Sequence, residues 1–174
     1  MTEDGRSNGM SSSRANEEAK HTNRGAPLDR EMGFHSLSFR AFAQATEDDE
    51  RVAEALRFAS AAKEVERQSS DGFHGNRIVI LETKLRSKRE MEAFFRRLKK
   101  DEVALLLSTL EKRVDEDCTF FLRLDKQKAY LGELALTDQD DVISVRGKIK
   151  SYPKRREAAL DATRDFLASL LDAR

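Results

Sequence analysis

Asp117–Glu157 reads DCTFFLRLDKQKAYLGELALTDQDDVISVRGKIKSYPKRRE, and the placement of its apolar runs decides the fold. Thr119–Leu124 has the aromatic and branched character of a strand. Asp125–Tyr130 reads as a short helix or turn. Gly132–Thr137 and Val142–Ser151 read as a hairpin closed by the polar run Asp138-Gln139-Asp140-Asp141. Side chains of a strand alternate with period two, so Ile143, Val145, Gly147 and Ile149 share one face and Arg146, Lys148 and Lys150 the other. Tyr152-Pro153 ends the sheet, and the proline stands where a last helix can begin. Arg146–Arg156 holds six basic residues and no acidic one. Such a cluster suits a polyanion, with RNA the leading candidate.

Upstream of this stretch the pattern is equally periodic. His35–Phe42 sets Leu37, Phe39 and Ala41 against Ser36, Ser38, Arg40 and Phe42, which predicts a strand. Thr46 is placed to cap a helix with Asp48, Asp49 and Glu50 in its first turn, where carboxylates complement the exposed N–H groups. Val52, Ala55, Leu56 and Ala59 form that helix's apolar face. Lys63–Arg67 reads as a weak strand, Ser69–Asn76 as a loop, and Arg77–Leu85 (RIVILETKL) as the clearest buried strand. Ser87 caps a helix with the stripe Met91, Phe94, Phe95 and Leu98. Val103, Leu106, Leu107 and Leu110 continue helically beyond Lys99–Asp101. The final helix runs from about Lys154 to Leu171 and faces inward through Ala159, Ala162, Phe166 and Leu170. Strands in hairpins mixed with helical crossovers predict an α+β fold of two layers: a mixed, mostly antiparallel sheet with helices packed on one face. The other face of such a sheet is left less covered.

The chain has 174 residues, 39% hydrophobic and 37% charged, which suits one domain with a heavily charged surface. Met1–Gly33 is rich in Ser, Asn, Gly, Glu and Arg without a period, and is expected to be a disordered leader. The domain then spans 34–174. Cys118 is the single cysteine and cannot form an internal disulfide, which favours a reducing, intracellular compartment. No apolar run approaches the roughly 18–20 residues of a membrane span, and the first residues lack the apolar stretch of a secretory signal. Lys+Arg and Asp+Glu are both 32, so only the distribution of charge speaks for a polyanionic partner. That distribution is uneven. Lys84–Lys100 carries eight bases against Glu90 and Glu92, whereas Glu47–Glu66 carries seven acids against three bases.

Three surfaces are candidates for function. If Leu37, Phe39, Leu122, Leu124, Val145 and Ile149 point to the helices, the other face gathers Arg40, Phe42, Phe121, Arg123, Arg146, Lys148 and Lys150. Cations there would hold phosphates while an exposed ring stacks a base. The competing expectation is that Phe42 and Phe121 are buried by the last helix or a loop. Lys154, Arg155 and Arg156 extend the basic surface to the start of the last helix. The loop His74, Gly75, Asn76 and Arg77 is the second candidate, since glycines admit a close backbone approach to a phosphate; its composition also fits an ordinary turn. The third is acidic. Asp115–Asp117 or Asp138, Asp140 and Asp141 would be needed for Mg²⁺-dependent hydrolysis, but no residue marks a nucleophile. His21, His35 and His74 are scattered, and zinc, a nucleotide loop or a catalytic triad has no motif here. No metal, cofactor or catalytic residue is therefore assigned.

Four runs carry a family resemblance: FRAFAQATED (Phe39–Asp48), GFHGNRIVILE (Gly72–Glu82), VDEDCTFFLRLDKQKAYLGELAL (Val114–Leu136) and DDVISVRGKIKSYPKRRE (Asp140–Glu157). Across about 140 residues the chain resembles an archaeal family of RNA-binding proteins and predicted exosome subunits. The resemblance implies a cytoplasmic protein with a fold like that of the ribosomal protein that binds 5S rRNA. Two positions depart from the family pattern: Phe73 stands where a second histidine is expected, and Arg77 where proline is. The expected function is non-catalytic RNA binding by Arg40, Phe121, Arg123, Arg146, Lys148, Lys150, Lys154, Arg155 and Arg156, accessory to RNA processing or a ribosome-related assembly. The alternatives are a protein-interaction subunit of such a complex, with exosome or ribosomal proteins as partners, and a metal-dependent ribonuclease.

Overall fold

Alternation of large apolar with small or charged residues makes Phe34–Ala43 (β1) a strand with one face for the core and one for water. It is the middle strand of the sheet. The computed structural model describes residues 33–72 and 75–173; the expected leader, apart from Gly33, lies outside them. After β1 come α1 (Asp49–Ser60), β2 (Glu66–Asp71), β3 (Arg77–Leu85), α2 (Lys88–Arg97), α3 (Lys100–Ser108), α4 (Leu110–Arg113), β4 (Thr119–Asp125), α5 (Lys126–Tyr130), β5 (Val142–Ile149) and α6 (Arg156–Asp172). The strands form one open sheet in the order β2-β3-β1-β5-β4. Every neighbouring pair is antiparallel. The fold is α+β. No helix among the described residues is long and apolar enough to cross a membrane.

Three local expectations are corrected. Asp48, not Thr46, caps α1, its carboxylate accepting the N–H groups of Glu50 and Arg51; Gln44–Glu47 is a turn closed by the Glu47 N–H on the Gln44 carbonyl. The strand expected at Lys63–Arg67 lies instead at Glu66–Asp71, so Ser69, Ser70 and Asp71 are strand rather than loop. Pairing to β3 overrides their weak strand preference. Gly132–Thr137 is not a hairpin partner of β5. It runs along the free edge of β4, through a bridge from Leu136 to Leu124 and hydrogen bonds from Asp125 N–H to Ala135 O and Thr137 N–H to Arg123 O. That leaves β5 to insert between β1 and β4, where both of its backbone edges are paired.

The core lies between the sheet and the helices. Leu37, Phe39, Val145, Ile149, Leu122 and Leu124 all face it. Its densest part is aromatic: Phe34 stacks on Phe95 at 5.4 Å and meets Phe120 and Phe166 edge-on at 5.6 and 6.1 Å. Phe166 is half-buried and reaches this cluster from α6, which otherwise turns Ala159, Leu160, Thr163, Leu167 and Leu170 inward. Gly147 makes room for the cluster. A Cβ at that position would lie 2.7 and 2.8 Å from two carbons of the Phe34 ring and 2.9 Å from Leu37 Cδ2. Glycine inside a strand weakens the strand but admits this close approach.

Gly147→Ala is expected to destabilise the protein by about 1–3 kcal/mol, the usual cost of overpacking. The midpoint of urea unfolding should fall with an unchanged slope. A midpoint equal to wild type would show that the Phe34 ring is free to shift.

Candidate nucleic-acid interface

Cross-strand register builds the outer face of the sheet row by row. Lys84 lies opposite Ser38, Ser38 opposite Arg146, and Arg146 opposite Phe121. On one side of this row Lys148 is flanked by Ser36 and Thr119; on the other, Arg40 stands between Glu82 and Ser144, with Arg123 beyond. The serines of β1 and β5 are short and the cations beside them are long. The face is therefore hollow: a trough of about 470 Å³ with Ser36, Ser38 and Ser144 in its floor and Arg40, Lys84, Arg146 and Lys148 around it. Among the described residues no helix lines this trough; the helices pack against the core on the other face.

The expected residues are not equal in what their side chains do. Arg146, Lys148, Lys150, Lys154, Arg155 and Arg123 are exposed. Lys148, Lys150, Lys154 and Arg155 have no ion-pair partner among the described residues. Phe121 is half-buried beneath the Arg146 guanidinium, whose carbon lies 5.6 Å from the ring centroid. Phe42 is 41% exposed. Neither ring is fully buried: Phe42 is exposed and Phe121 is partly covered. Arg40 is on the trough wall, ion-paired to Glu82.

Arg156 differs from its neighbours. Its Nε donates to the Val114 carbonyl at 3.0 Å and its Nη2 to the Glu111 carbonyl at 2.5 Å. The side chain thus ties the start of α6 to the end of α4, and is corrected from phosphate ligand to structural tie. The glycine loop is also committed internally. Gly75, at φ 73°, donates its N–H to Gly72 O, and Gly72 donates to Asn76 O. Arg77 pairs with Asp49 at 3.0 Å. These contacts engage the N–H groups of Gly72 and Gly75 and the Arg77 side chain within the protein. His74 lies outside the described residues.

The sequence reading missed three features. Lys84 belongs to the outer face, although the linear pattern groups it with the basic helix that follows. Tyr152 is 99% exposed among basic residues. Lys126 is 3% exposed and binds the Phe42 carbonyl at 3.0 Å, Glu47 at 2.7 Å and Asp141 at 2.5 Å. It joins the end of β1, the approach to α1 and the start of β5. A lysine in the run LDKQKAY carries no sign of burial; only its partners, brought from far along the chain, reveal it. Burial pushes the Asp141 carboxyl up, but hydrogen bonds from Gln127 and Lys126 and the Lys126 charge together hold it below its ordinary range. Burial likewise pulls the Arg97 guanidinium down. Its two nitrogens donate to the Phe58 and Ala59 carbonyls, so this part of the α2 cluster is structural.

Charge is sorted along the strands. The start of β1, the end of β3 and the end of β5 lie together, and bring Lys84, Arg86, Lys88 and Arg89 to the same end as Lys148, Lys150, Lys154 and Arg155. The opposite end holds Glu47, Asp48, Asp49, Asp125, Asp140 and Asp141. The basic end also holds acids, among them Glu90, Glu111, Asp115–Asp117 and Glu157. Asp115 accepts the N–H groups of Asp117 and Thr119, and Glu116 faces Arg156. Among the described residues no group of three His, Cys, Asp or Glu is arranged to hold a metal.

A family described as RNA binding matches residues 36–149, from β1 to the last residue of β5. The chain belongs to this RNA-binding family. RNA-binding protein PAB1135 from Pyrococcus abyssi is 37% identical over 143 residues, covering 76% of this chain and 93% of that protein. Two solved structures are similar at comparable identity. Mth689, a DUF54 protein from Methanothermobacter thermautotrophicus, is 35% identical with a TM-score of 0.67, over 78% of this chain and 98% of that one. AF2318 from Archaeglobus fulgidus is 34% identical with a TM-score of 0.68, over 76% and 98%. All three of these proteins are archaeal. The family match includes the whole trough and stops short of Lys150–Arg156.

A carboxyl held low in the folded state contributes stability above its unfolded value and loses it as pH falls through the folded value. The stability difference between wild type and Asp141→Asn should therefore be constant above about pH 4 and shrink on further acidification. Urea midpoints across a pH series would check this; a difference that grows below pH 4 would contradict the Lys126–Asp141 tie.

Proposed function

We propose that this protein binds RNA without catalysis, holding phosphates in the trough of the open sheet face and along the basic end beyond it. The observation that carries this reading is the row Lys84–Ser38–Arg146, with Lys148 beside it, on a face that no helix covers among the described residues. Arg146 and Lys148 present donors to solvent, and the hydroxyls between them suit phosphate or ribose oxygens. Lys150, Lys154 and Arg155 extend the contact, with Arg123 at the far side. The family membership and the printed name of the Pyrococcus relative support the same ligand. A cytoplasmic site of action fits the lone Cys118, which is buried and unpaired.

Each phosphate neutralised on a single strand contributes about −0.7 to the slope of log K against log salt. Arg146→Ala with Lys148→Ala should weaken RNA binding and make that slope shallower by about 1.4, two contacts' worth. Arg156→Ala should instead lower stability by about 1–3 kcal/mol and leave the slope unchanged. Unchanged affinity and slope in the double variant would overturn the assignment of the trough.

A second reading follows from the acidic end. A protein with opposite charges at its two ends is suited to hold RNA by one and a basic protein by the other, as an accessory subunit of an RNA-processing or ribosome-related assembly would. Exosome or ribosomal proteins are the partners the family resemblance suggests. Partners captured through this end should survive nuclease treatment and be weakened in Asp140→Lys, which reverses an exposed charge there. Partners lost on nuclease treatment alone would leave only the RNA contact.

A further inference from the structure

We propose that Tyr152 is a stacking platform for an unpaired RNA base, so that the preferred ligand carries a single-stranded segment beside the trough rather than being duplex throughout. This rests on the RNA-binding reading above and adds a base contact to it.

The fold does not account for Tyr152. The residue is 99% exposed, against 80% for Leu131 and 41–44% for Phe42, Tyr130 and Leu105, so it contributes no burial to the core. A fully exposed ring is left with both faces available. The backbone on either side is nonetheless held. Lys150 N–H donates to Gly33 O at 2.5 Å, Arg155 N–H donates to Pro153 O at 2.8 Å, and the Arg156 side chain fixes the next residue to the Val114 and Glu111 carbonyls. The ring therefore projects from an anchored turn.

Its surroundings select the ligand's chemistry. Lys150, Lys154 and Arg155 flank it, all exposed and without an ion-pair partner among the described residues. Lys148, the last cation of the trough, is only four residues away along the chain. Cations beside an open aromatic face hold a nucleic acid backbone while a base stacks. The trough itself has few rings to offer. Phe121 is half-buried with the Arg146 guanidinium over it, and Phe42 lies toward the half where Arg40 is already paired with Glu82. The trough thus grips backbone, and the ring at its end takes a base. Within a duplex both faces of a base are covered by its neighbours in the stack, so only an unpaired base can reach Tyr152 as an individual.

The chain has no tryptophan, so Tyr152→Trp places a single tryptophan at the proposed contact, which can be excited selectively over the remaining Tyr130. A single-stranded ten-nucleotide RNA of mixed sequence should quench it, and a blunt duplex of the same sequence should not. Tyr152→Ala should bind the single strand about tenfold more weakly, the order of one stacked base. It should keep wild-type duplex affinity and an unchanged salt slope, and Tyr152→Phe should behave as wild type. Unfolding midpoints equal to wild type are expected for all three variants, because the side chain is outside the core. Single-strand binding with neither quenching nor loss in Tyr152→Ala would overturn this proposal and leave the trough standing. Wild-type protein that binds neither RNA would overturn the RNA-binding reading itself, and this contact with it.

Discussion

The packing of the Phe34 ring over Gly147 sets the rest of the structure. A side chain at 147 would collide with that ring and with Leu37. The absence of one lets Phe34 lie on β5 and meet Phe95, Phe120 and Phe166, from α2, β4 and α6. One aromatic cluster thereby joins three strands and two helices. It also pins the register of β1 against β5. A slip of one residue would carry Arg146 and Lys148 into the core and Val145 into water, which burial of that aromatic area forbids. The cationic face therefore follows from the packing on the opposite face.

The second consequence of that register is the separation of charge. In an antiparallel sheet the end of one strand lies beside the start of the next. Bases clustered after β3 and β5 therefore meet, and acids clustered after β1 and before β5 meet at the other end. A chain of zero net charge becomes a molecule with a basic end and an acidic end. Long-range attraction of a polyanion depends on this local field rather than on the total. The buried Lys126 stabilises the acidic end internally, binding Glu47 and Asp141, while among the described residues nothing comparably neutralises Lys148, Lys150, Lys154 and Arg155 at the basic end.

The same arrangement separates structural from available arginines. Arg156 and Arg97 donate to backbone carbonyls, and Arg40 and Arg77 face carboxylates. Guanidinium groups suit both duties, because their donors lie in a planar fork that can meet two acceptors at once. Composition cannot tell the two uses apart. In the run Lys154-Arg155-Arg156, two side chains point to solvent and the third ties two helices together.

Alternation and spacing, which are properties of the chain alone, determined the strands β1, β3, β4 and β5, the apolar stripes of α1 and α2, the α+β class and which side chains of β1 and β5 share a face. These are local, since a strand repeats every two residues and a helix every 3.6. Only the tertiary structure decided that β5 pairs with β1 and β4 instead of with Gly132–Thr137, that Ser69–Asp71 is strand, that Lys84 joins Arg146 across Ser38, that Lys126 is buried and that Tyr152 is not. Each of these depends on which distant residue arrives opposite, and no periodicity along the chain encodes that meeting.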